Sequence, residues 1–112
     1  MKYKYHLRPE YQSQNLLIEV FSGGENENFF SDFFDSIKEI NPIIEKINDL
    51  WMNDEYIFYV KSDIGPFSFS KDIWDLVFIM SDDNQECLEK INLILLQNEN
   101  FQKIEVDFEN YK

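Results

Sequence analysis

Carboxylates are the only chemistry-bearing side chains that this sequence offers in quantity. Asp82, Asp83 and Glu86 lie close together in the chain, and oxygen donors at such spacing could hold Mg²⁺ or Ca²⁺. Asp83 and Glu86 also have the spacing of a capping box, and acids in a first helical turn complement the helix dipole with no metal involved. The pattern of a Ca²⁺ loop with its central glycine is missing. His6, the single histidine, sits in a basic row. Spacing supplies it with no carboxylate to orient it and no serine to deprotonate, so it lacks the partners of a general base. Three glycines, two of them adjacent, make no phosphate-cradling loop, and Gly-Lys-Ser/Thr is absent. Paired carboxylates for glycoside hydrolysis are a spatial arrangement, and no pocket signature accompanies them here. We expect no catalytic residue, no metal and no cofactor.

The acids matter instead as a field. There are 22 Asp and Glu against 10 Lys and Arg, a net charge of −12. Lys2, Lys4 and Arg8 stand in an acid-free opening stretch, so the rest of the chain is more acidic still. Such a surface repels acidic molecules and steers basic ones toward it. Direct nucleic-acid binding is disfavoured, because phosphates demand Lys and Arg. The 112 residues are read as one domain, 1–112. Eleven Phe, six Tyr and two Trp are too many aromatics for a disordered acidic tail. The lone Cys87 cannot form an internal disulfide, which fits a reducing compartment, and its helical apolar surroundings make it a buried hydrophobe. The apolar run Leu76–Met80 is too short for a bilayer, and no apolar stretch follows the basic opening as in a signal peptide. A cytoplasmic protein with no membrane contact is expected.

Hydrophobic periodicity supplies the elements that must carry these acids. Tyr3, Tyr5 and Leu7 alternate with Lys4, His6 and Arg8 as in a half-buried strand, and Leu16–Phe21 reads as a second strand ended by Gly23-Gly24. Phe29, Phe30, Phe33, Phe34, Ile37 and Ile40 form a helical stripe, with Glu25 and Glu27 at the positive end of its dipole. Asn41 as cap and Pro42 at a first helical position continue that stripe through Ile43, Ile44, Ile47, Leu50 and Trp51, as a second helical segment or a kinked helix. Strands follow at 55–62, 66–71 and 73–80, then a helix through Cys87, Leu88, Ile91, Ile94 and Leu95. Ile104, Val106 and Phe108 alternate with Glu105, Asp107 and Glu109 as a last strand. The order β-β-α(α)-β-β-β-α-β implies an α+β fold: a mostly antiparallel sheet of five to six strands with two to three helices on one face. Opposite charges on the first and last strands predict that the two lie close together, near enough to be neighbours.

A meander of the three middle strands sorts the acids between two ends of the sheet. One end gathers Asp63, Asp82, Asp83 and Glu86, largely explained by capping. The other gathers Asp49, Asp54, Glu55, Asp72 and Asp75 with Trp51, Tyr56 and Trp74. Trp and Tyr are typical energetic anchors of interfaces, so these eight are the candidate partner-binding residues. Asp75 leads them as the one charge within an apolar strand. Against this stands the plainer alternative that Trp51 and Trp74 are core residues and the acids are loop solvation.

In its size, acidity, Asn/Lys/Glu/Ile-rich usage and lack of catalytic equipment, the whole chain resembles the small acidic immunity proteins of bacterial toxin–immunity pairs, including those of contact-dependent growth inhibition. The resemblance is one of whole-chain character. It implies a non-enzymatic inhibitor, monomeric or weakly dimeric, that binds a basic toxin domain such as a nuclease. A nucleic-acid mimic that blocks a DNA-binding protein, and a small carboxylate-based enzyme or metal-binding domain, are the alternatives.

Overall fold

Seven strands make a single mixed sheet with two helices against one of its faces. The computed structural model describes residues 2–50 and 55–111. In chain order the elements are β1 (Tyr3–Pro9), β2 (Leu16–Ser22), α1 (Phe29–Ser36), β3 (Ile43–Leu50), β4 (Glu55–Lys61), β5 (Phe67–Lys71), β6 (Val77–Met80), α2 (Gln85–Leu96) and β7 (Phe101–Lys103). Short 3₁₀ turns span Lys38–Ile40 and Phe108–Tyr111. Across the sheet the order is β3-β4-β5-β6-β2-β1-β7, every pairing antiparallel except β1 with β7. The expected α+β class and the β4–β5–β6 meander are present, in a wider, mixed sheet.

Period-two alternation puts one apolar set on the helix-bearing face: Tyr3 and Tyr5, Ile18 and Val20, Val77 and Ile79, Phe67 and Phe69, and Val60. Helix α1 lays Phe29 and Phe33 on this face, and Ile37 and Ile40 follow from the turn after it. Phe69 is the hub, with the rings of Phe29, Phe30, Phe33, Phe34 and Phe58 at 5.5–6.1 Å. Helix α2 covers the opposite half through Cys87, Leu88, Ile91, Ile94 and Leu95, and Cys87 is fully buried as the sequence suggests. The Tyr5 hydroxyl donates to Asn92 Oδ1 on α2 at 2.9 Å. Burial raises its pKa, with the charge of Glu105 adding to the effect.

Residues 43–50 are strand β3, where the periodicity indicates helix. The cause is a bulge. Ile44 faces Val60 and Lys46 faces Tyr59, so Glu45 is an extra residue in the ladder. Two residues on β4, from Phe58 to Val60, therefore span three on β3, from Ile47 to Ile44. The bulge gives a strand the three-residue apolar spacing of a helix. Strand β6 is also shorter than its sequence reading, because Asp72–Asp75 form a turn and Asp75 has φ +61. Asp75 is thus not a charge within a strand.

The first and last strands are neighbours, as expected, but their pairing is parallel and uses 101–103 instead of 104–108. Ile104 N–H still donates to the Tyr5 carbonyl at 2.8 Å, after which the chain leaves the ladder. The bases of β1 and its approach pair elsewhere than expected: Lys2 with Asp32 at 3.4 Å and Arg8 with Glu19 at 2.7 Å. Helix α2 is capped by Asn84, whose side chain accepts from Cys87 N–H, and not by Asp83.

Candidate partner-binding surface

At one end of the sheet, β3 finishes, β4 begins and the β5–β6 turn crosses over. Asp49 stands opposite Tyr56, and Tyr56 opposite Lys71, so Asp49, Glu55, Tyr56, Asp72, Trp74 and Asp75 share this end. Trp51 and Asp54 lie outside the described residues. Trp74 is 77% exposed and Tyr56 44% exposed, so Trp74 is a surface residue and not part of the core. Two of the acids are engaged locally. Asp72 Oδ1 accepts from Trp74 N–H at 2.9 Å and Leu76 N–H at 3.0 Å, which shapes the turn that presents the indole. Asp75 Oδ1 lies 3.3 Å from Lys71 Nζ. Asp49 is exposed and Glu55 partly so.

The fold adds two acids that the sequence reading assigns only to the dipole of α1. Gly24 packs so closely on the β5–β6 turn that a Cβ there would collide with the Asp75 carbonyl oxygen. This contact brings the loop carrying Glu25 and Glu27 beside the turn. Between that loop and strands β4 and β5 a cavity of about 210 Å³ opens, walled by Glu25, Glu27, Phe30, Tyr56, Phe58 and Lys71. No spacing rule foretells that approach, because it joins segments fifty residues apart by fold alone.

The opposite end gathers Asp63, Asp82, Asp83 and Glu86, all exposed. Asp63 accepts from Asn41 Nδ2 at 2.6 Å. Asp82 shares a side-chain hydrogen bond with Glu10 from the β1–β2 hairpin, and burial followed by this bond and the charge of Asp82 raises the Glu10 pKa. Near α1, the Tyr3 hydroxyl donates to Asp32 Oδ2 at 2.5 Å, and this bond holds the Asp32 carboxyl below its ordinary pKa.

His6 has a structural setting: its Nδ1 lies 2.8 Å from the Ile104 carbonyl and its ring stacks on Phe21 at 4.1 Å. Among the described residues, no group of three or more His, Cys, Asp and Glu could hold a metal ion. No helix among them is long and apolar enough to cross a membrane. Among the described residues, five of the nine Lys and Arg form ion pairs with acids of this same chain, and the acids remain in surplus. No protein-family model, no curated protein sequence and no solved structure matches this chain.

Proposed function

We propose that this protein is a cytoplasmic inhibitor, of the immunity-protein kind, that neutralises a basic toxin domain by binding it through the acid-rich end of the sheet. The reading rests on one observation above all. Trp74 stands 77% exposed on a turn shaped by Asp72, with Asp49, Glu55, Glu25 and Glu27 around it at the same end. An indole so exposed forgoes the stabilisation of burial, and Trp is among the commonest anchors of protein interfaces. The surrounding carboxylates would match the cationic groups that a nuclease presents to its substrate, speeding encounter and adding close charge pairs. The protein would act as a monomer or weak dimer.

The test is capture of a stoichiometric basic partner on co-expression with neighbouring gene products, followed by binding kinetics. Trp74→Ala should leave the melting temperature nearly unchanged and weaken binding by roughly thirtyfold or more, the level of an anchor residue. Glu55→Lys should slow association, and added salt should slow the wild-type rate. Salt-independent association, with Trp74→Ala binding as tightly as the wild type, would refute the reading.

A further inference from the structure

The helix layer stops short of the sheet's β3–β4 flank. Phe58 and Val60 face the core side, so Ile47 and Ile44, their partners on β3, lie on that same side. Yet Ile47 is 60% exposed and Ile44 36%, with Tyr56 at 44% and Phe30 of α1 at 41%. Helix α1 sits over β5 and reaches β4 through Phe30, whose ring meets that of Phe58 at 5.3 Å. Val60 itself is buried, so the opening lies over β3 and the Tyr56–Phe58 half of β4. Among the described residues, an apolar shelf is left open beside α1. Its far end is closed by the Lys38–Ile40 turn, fastened to the β4–β5 loop by Asp63 N–H on the Ile40 carbonyl at 2.8 Å.

The rim of the shelf selects its occupant. Glu25, Glu27 and Asp35 border it, and Asp49 shares its face opposite Tyr56, against Lys38 and a Lys71 already engaged with Asp75. A second copy of this chain would set acidic rim against acidic rim. The free edge of β3 also carries a bulge at Glu45 and a charged Glu45-Lys46 pair, features that oppose strand-on-strand pairing. We infer that the shelf receives an amphipathic α-helix of the basic partner, its apolar stripe on Ile44, Ile47, Phe58 and Phe30 and its Lys/Arg face on the acidic rim. This rests on the inhibitor reading for the partner's charge and extends the binding surface from the Trp74 turn along the sheet.

The probe is a synthetic peptide of Leu and Lys, roughly 18 residues long, with Leu at helical spacing. A peptide of the same composition with alternating Leu and Lys is the comparison. The full-length protein should bind the helical peptide more tightly and raise its helicity by circular dichroism. Ile47→Glu and Phe30→Glu should each weaken binding at least tenfold, although each adds a negative charge that would strengthen purely electrostatic attraction. Leu93→Glu, on the exposed face of α2, should bind no more weakly than the wild type. Ile47→Glu and Phe30→Glu binding as tightly as the wild type, or equal binding of the alternating peptide, would overturn the shelf. That result would leave the inhibitor reading to its own test at Trp74.

Discussion

Replacing Asn84 by alanine removes two fastenings at once. Its Oδ1 accepts from Cys87 N–H at 3.3 Å and caps α2, while its Nδ2 donates to the Ile64 carbonyl on the β4–β5 loop at 2.7 Å. Loss of an N-cap costs about 1 kcal/mol, and a net hydrogen bond about 1 kcal/mol more. The sum is about 2 kcal/mol. For a domain of this size that lowers the melting temperature by roughly 8 °C, at about 4 °C per kcal/mol. Asp83→Ala, which sequence spacing marks as the cap, should stay within about 0.5 kcal/mol of the wild type. Asn84→Asp should fall between, keeping the acceptor but losing the donor. Gly65 packs against the Asn84 amide at φ +108, where a Cβ would collide with that amide, so Gly65→Ala should reproduce much of the Asn84→Ala loss. Urea denaturation and calorimetry at neutral pH measure all four variants. If Asp83→Ala were as damaging as Asn84→Ala, the assigned cap and the loop tie would both be wrong.

Proton linkage at Glu10 gives a second prediction. Its folded pKa is raised by burial and by Asp82, so its favourable contribution is complete below the unfolded carboxyl pKa and is lost as pH rises through the folded value. Glu10→Gln should therefore raise the unfolding free energy measured by urea denaturation at pH 7, by on the order of 0.5 kcal/mol for one relieved like-charge contact. The gain should vanish near pH 4; an equal gain at both pH values would exclude the linkage. A third prediction concerns Cys87, which is fully buried and whose pKa burial raises. A thiol reagent should label the native protein only at the rate of its opening, and prompt labelling at neutral pH would contradict the placement of α2.

Much of this protein was determined by side-chain pattern alone. Alternation in Tyr3–Leu7 and the Phe67–Phe69 pair marked strands, because a half-buried strand must alternate its faces. The Phe29–Ile40 and Cys87–Leu95 stripes marked the helix layer, because one face of each must be buried. The meander followed from turn chemistry, and with it the gathering of Asp49, Glu55, Tyr56, Asp72, Trp74 and Asp75 at one end. Local rules failed where a decision depended on a distant partner. Residues 43–50 carry helical spacing, yet they become a strand because β4 pairs along their length and a bulge at Glu45 absorbs the extra residue. Ile104–Phe108 alternate like a strand, yet β1 takes 101–103 beside it and the remainder turns away. Asp75 looked like a strand charge until the turn gave it a left-handed backbone and Lys71 as a neighbour. The approach of Gly24 to that turn, and the uncovered shelf on β3 and β4, arise from packing between segments far apart in the chain. Spacing along a sequence reports the face a residue prefers; only the assembled sheet decides what, if anything, covers it.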